Sequence, residues 1–137
     1  MSYRVVKEPG AIFASALTTD YVEMTNNQDL DFLVATGVGT AADTTIKVKG
    51  KLGEDGTDKF IEFKMKTTGN FEDVTKDGKK LNIGGTAGEC GFCAVRVDAR
   101  VLGREGLDRV ALTATAVSQS TVPGSVVAIL SKARYSE

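Results

Sequence analysis

The chain of 137 residues carries 17 Lys+Arg against 18 Asp+Glu, a formal net charge of −1, so no positive excess marks a nucleic-acid surface. Its composition, 42% hydrophobic and 26% charged, is that of a globular chain rather than a disordered tail or a collagen-like rod, and its length suits one domain. It contains no histidine, which excludes Ser-His and Cys-His catalysis and histidine-ligated metals and leaves only Asp, Glu, Lys and Cys chemistry open to an enzyme.

The first ten residues, Met1 to Gly10, are charged throughout and end in Pro9-Gly10. They lack the apolar stretch of a signal peptide and read as an extended arm outside the main fold. No apolar run reaches the roughly 18–20 residues of a membrane helix, so the expectation is a protein made in a cytosol, away from membranes, with reduced cysteines.

From there the chain alternates with period two and is punctuated by glycine and Asp-Gly turns. The first strands are expected at Leu17 to Met24 and at Leu30 to Thr36, where Leu30, Phe32 and Val34 share a face. A third spans Thr44 to Leu52, with Ile46 and Val48 against Lys47 and Lys49. After the turn Gly53-Glu54-Asp55-Gly56 comes Phe60 to Thr67, where Ile61, Phe63 and Met65 alternate with Glu62, Lys64 and Lys66. These two strands should form a hairpin with one solvated face. Phe71 to Thr75 and Lys79 to Ile83 form a short hairpin or a single loop about Lys76-Asp77-Gly78. Cys93 to Leu102 alternates strongly through Val95, Val97, Ala99 and Val101, and Arg109 to Ser118 does so through Val110, Leu112, Ala114 and Ala116. The last strand, Ser125 to Lys132, is apolar on both faces, as a central or covered strand is. The expected fold is all-β: an antiparallel β-sandwich, jelly-roll-like, of about 7–8 strands with no helix. Residues 1–10 form its arm and residues 11–137 its single domain.

Cys90-Gly91-Phe92-Cys93 has the spacing of a thioredoxin-type dithiol, and Thr121-Val122-Pro123 imitates the proline of that fold. Such a dithiol belongs at the start of a helix in a βαβ setting. Here the following residues read as a strand, so both cysteines are taken as small packing residues. One CxxC supplies only two of the four ligands of a structural zinc. Asp29-Leu30-Asp31 and Glu54-Asp55-Gly56-Thr57-Asp58 bring carboxylates together without the spacing of a calcium loop and read as solvated turn acids. Gly37-Val38-Gly39-Thr40 and Gly84-Gly85-Thr86-Ala87-Gly88 are not followed by the helix a phosphate loop needs. Lys47, Lys49, Lys51, Lys64 and Lys66 are expected on one basic face, either as edge protection or as a contact for an acidic protein surface. No catalytic, cofactor-binding or metal-ligating residue is identified. The candidate partner-binding residues are Tyr3, Val5 and Val6, the apolar stripe of the arm, with Val127 and Ile129 of the last strand.

The stretches Ala11-Ile12-Phe13-Ala14-Ser15-Ala16-Leu17-Thr18-Thr19-Asp20-Tyr21-Val22, Val34-Ala35-Thr36-Gly37-Val38-Gly39-Thr40, Val97-Asp98-Ala99-Arg100-Val101-Leu102 and Val122-Pro123-Gly124-Ser125-Val126-Val127-Ala128-Ile129-Leu130 resemble small head proteins of tailed bacteriophages. The nearest likeness is to capsid cement, or decoration, proteins with a jelly-roll fold. It spans most of the chain after Pro9 and rests on texture and strand spacing. It implies a virion structural protein without catalysis, made in the host bacterial cytoplasm. Such a protein binds the outer capsid surface where major capsid subunits meet and self-associates as a dimer or trimer. The CxxC departs from that pattern. The rival readings are a tail-tube or head–tail connector protein and a CxxC thiol oxidoreductase.

Overall fold

Alternating burial builds two sheets around one core. In Leu30–Thr36, for example, Leu30, Phe32 and Val34 are fully buried while Asp31 and Leu33 are only partly covered. The computed structural model describes residues 2–24, 29–85, 91–117 and 120–130. Its strands are β1 (Ser2–Gly10), β2 (Leu17–Thr18), β3 (Val22–Glu23), β4 (Leu30–Thr36), β5 (Gly39–Lys51), β6 (Lys59–Ile61), β7 (Phe63–Lys66), β8 (Glu72–Val74), β9 (Lys79–Gly85), β10 (Gly91–Val97), β11 (Arg109–Ala114) and β12 (Gly124–Leu130), with one helix, α1 (Ala99–Glu105), between β10 and β11.

The front sheet has the order β1-β12-β4-β10-β7-β8, and the back sheet β2-β11-β5-β6, with β3 also on β11 and β9 also on β5. All pairings are antiparallel. The molecule is therefore an all-β sandwich. Phe32, Val34, Val95, Val97 and Met65 of the front sheet meet Ile46, Val48, Val110, Leu112 and Ile83 of the back sheet in its core. Phe13, in the link between β1 and β2, is fully buried alongside them.

Several expectations change. Residues 2–10 are not an arm outside the fold: β1 is the edge strand of the front sheet, with Tyr3 opposite Ile129 and Val5 opposite Val127. The register then slips so that Lys7, not Val6, stands opposite Val126. That extra residue is a bulge. Val6, next to the outward-facing Val5, points to the core and is buried at 3% exposure. Leu17 to Met24 divides into β2 and β3 around Thr19. The stretch from Phe60 to Thr67 divides at Glu62: β6 lies beside β5 in the back sheet and β7 beside β10 in the front one. Ile61, Phe63 and Met65 all remain buried, because both sheets face the same core and the chain turns a corner between them. The expected hairpin thus survives only as Val48 to Gly50 against Lys59 to Ile61.

The pair β8 and β9 is no hairpin either, since β8 adds to β7 and β9 to β5. Gly78 makes the crossing at φ +84°, where an added Cβ would lie 2.3 Å from the Ile46 carbonyl oxygen. Finally, the alternation after Val97 is helix, not strand. Asp98 caps α1 by accepting from the Arg100 N–H at 2.8 Å, Leu102 is buried, and Gly106 closes the helix in the left-handed conformation at φ 73°, as a C′ glycine does.

Candidate interaction surface

The outward-facing residues of the front sheet follow from the register. Val5 stands opposite Val127, Val127 opposite Leu33, and Leu33 opposite Ala94. One row therefore crosses four strands with aliphatic side chains only. Ile129 lies one step along β12, and Ala35 stands between Ser125 and Phe92 in the next row. Val5 and Phe92 are each 48% exposed, although both are large apolar residues. Leu33, Val127 and Ile129 are half-buried.

A charged margin borders this patch. Arg96 grips Asp31 with two hydrogen bonds, Nε to Oδ1 at 2.8 Å and a terminal guanidinium nitrogen to Oδ2 at 3.0 Å. The Phe71 ring packs on the Arg96 guanidinium at 4.2 Å and on the Lys66 ammonium at 4.8 Å. The paired Asp31 carboxylate holds the Arg96 guanidinium even more firmly in its charged form. An apolar centre with a polar rim is the anatomy of a protein–protein contact.

Of the five candidate residues, Val5, Val127 and Ile129 lie on this outer face. Tyr3 holds the register position opposite Ile129, and its side chain is outside the described residues. Val6 is not part of the surface: it follows the outward-facing Val5, so strand alternation turns it to the core, where it is buried. Leu33 and Phe92 belong to the patch and were not singled out by the sequence. Finding them requires the cross-strand register, which alternation within one strand does not contain.

The other motifs resolve locally. Cys93 is fully buried on the core face of β10, and burial pushes its thiol up to about 12, the condition of an inert packing cysteine rather than a nucleophile. Cys90 lies outside the described residues. Asp31 is committed to Arg96, while Asp29 accepts weakly from the Ala99 N–H at 3.4 Å. Asp58 accepts from the Tyr21 hydroxyl and pairs with Lys49. Among the described residues, no group of three or more Cys, Asp or Glu is placed to hold a metal ion. The five lysines do not share a face. Lys47, Lys49 and Lys51 lie on β5 in the back sheet, over the rings of Phe60 and Tyr21, whereas Lys64 and Lys66 lie on β7 in the front sheet. The corner at Glu62 separates them.

No protein-family model, no curated protein and no solved structure matches the chain. The functional reading therefore rests on the residues and the surface they form.

Proposed function

We propose that the protein is a non-enzymatic structural component of a tailed-bacteriophage head, a capsid cement protein that docks on the outside of the shell through the outer face of its front sheet. The observation that carries this reading is the aliphatic row Val5–Val127–Leu33, with Phe92 beside it, on a sheet face that a free sandwich leaves to water. The strand order supports the finer description of a jelly roll. The first and last strands lie side by side in the front sheet, and the chain changes sheet at β1–β2, β3–β4, β4–β5, β6–β7, β8–β9, β9–β10, β10–β11 and β11–β12, an interleaving of the kind two Greek keys produce.

The size of the patch favours a repetitive partner. Four strands about 4.8 Å apart and seven residues of about 3.3 Å rise cover roughly 440 Å². A standard interface buries about 800 Å² on each side. One such face alone gives a weak contact, but copies repeated over a symmetric shell, or joined as dimers or trimers, multiply it through effective concentration.

The experiment is cryo-electron imaging of particles produced from the genome that encodes the chain, with wild-type protein and with Val127→Glu. Density for the sandwich on the outer shell at subunit junctions, lost or depleted in the variant, supports the proposal. Density in the tail tube or connector, or full occupancy by the variant, overturns it.

A further inference from the structure

The flank of the sandwich opposite β1 is open, and its chemistry differs from that of the front face. There the front sheet ends at β8. In the back sheet, β9 pairs with β5 on one side, and among the described residues no strand pairs with its other side. Between these edges runs a cleft of about 660 Å³, lined on one wall by the consecutive residues Lys79 to Asn82 of β9 and on the other by the end of β7 and by Glu72 of β8. Leu81 and Met65, both buried, contribute its apolar floor. Three lysines, Lys66, Lys79 and Lys80, face it against the single carboxylate of Glu72. Lys79 and Glu72 pair across the cleft at 2.5 Å, joining one sheet to the other.

We infer that this cleft receives an extended, acidic peptide segment of a partner protein, which adds as a strand to the free edge of β9. A strand edge offers a row of N–H and C=O groups that only another peptide backbone can complete. That requirement favours a peptide over a nucleic acid, which would use the lysines but leave the edge unpaired. Carboxylates on the incoming strand meet Lys66 and Lys80 and compete with Glu72 for Lys79. Phe92 and Lys66 line this cleft and also border the patch around Val127, so the two surfaces adjoin; Val127 itself lies outside the cleft lining, and the truth of this inference does not depend on docking through the front face.

The test uses a fluorescein-labelled peptide of alternating glutamate and threonine, titrated by anisotropy against the full chain, with amide chemical-shift mapping. Saturable binding that shifts the amides of Lys79 to Ile83 is expected. Lys66→Glu with Lys80→Glu should weaken it about tenfold, the scale of two exposed ion pairs lost. Glu72→Gln, which frees Lys79, should tighten it about two- to fivefold. Val127→Glu should leave it unchanged, so that failure here and failure of the docking face are told apart. A peptide of the same sequence N-methylated at alternate residues should not bind. The inference is overturned if the acidic peptide does not bind, if the methylated peptide binds equally well, if shifts fall elsewhere, or if a labelled single-stranded oligonucleotide binds the cleft more tightly than the peptide.

Discussion

Thr19 and Leu112 hold each other twice. The Thr19 N–H donates to the Leu112 carbonyl at 3.0 Å, and the Leu112 N–H donates to the Thr19 hydroxyl oxygen, also at 3.0 Å. A side chain thus replaces a main-chain carbonyl as the acceptor in the ladder, and this is where β2 ends before β3 begins. Thr19 is 3% exposed, so its hydroxyl is not competing with bulk water. Thr19→Val keeps the shape and removes the acceptor, leaving the Leu112 N–H buried and unpaired. The expected loss is about 1–3 kcal/mol, whereas Thr19→Ser should lose about 0.8 kcal/mol for the missing methyl group. Urea denaturation of the two variants measures the difference; equal midpoints would remove the hydroxyl from the account.

The N-terminal strand carries a second prediction, opposite to the one an arm would give. Deleting residues 2–8 takes away the neighbour of β12 and empties the place of Val6, whose burial is worth about 1.5–3 kcal/mol. It also turns an apolar inner strand into an edge, which favours aggregation. The truncated protein should unfold at lower denaturant and scatter more light at a given concentration. A truncated chain with the wild-type midpoint would mean that β1 adds nothing to the fold.

Cys93 should make stability fall in alkali. Its folded thiol is raised to about 12 from an ordinary 9.0, so above pH 9 the unfolded chain releases a proton that the folded chain keeps. The contribution is complete below pH 9 and shrinks by about 1.4 kcal/mol per pH unit between 9 and 12. Comparing wild type with Cys93→Ala over that window isolates it, because the other titrating groups are common to both. Parallel curves would contradict the burial. In the native state at neutral pH, Cys93 should also resist alkylation until denaturant is added.

The legibility of the chain depended on whether a feature was confined to one strand. Leu30–Thr36 was readable to the residue because its inner and outer faces differ throughout. The apolar residues on both faces of β12, Val126 and Ala128 inside and Val127 and Ile129 outside, correctly marked a strand with neighbours on each side, β1 and β4. Glu62 was invisible as a corner, since side chains entering the core from either sheet keep the same alternation. Val6 was misplaced because residues 1–10 were expected outside the fold; once β1 pairs with β12, the residue next to the outward-facing Val5 faces the core. The helix after Val97 was signalled by Asp98 and Gly106, a capping residue and a terminating glycine at the right separation. Those signals were outweighed by Val97, Ala99 and Val101, whose alternation imitates a strand over a stretch too short to separate period two from period 3.6.

Asp98 therefore offers a direct test of what starts that helix. Its carboxylate accepts from the Arg100 N–H at 2.8 Å and from the Arg100 guanidinium at 3.0 Å. The Arg100 side chain, and then its backbone N–H, hold the carboxyl below the ordinary value of 3.8. A carboxyl whose folded value is depressed stabilises the fold above its unfolded value, and that contribution is lost as pH falls through the folded value. Asp98→Ala removes the cap and should cost about 0.5–2 kcal/mol at neutral pH. Asp98→Asn keeps an acceptor oxygen and should lie close to wild type at neutral pH, yet lose the part of the acid dependence below pH 4 that belongs to this carboxyl. Urea midpoints measured at neutral pH and again below pH 4 for the three proteins separate the two roles. An alanine variant as stable as the asparagine variant at neutral pH would show that α1 is held by Leu102 and its packing, and not by its cap.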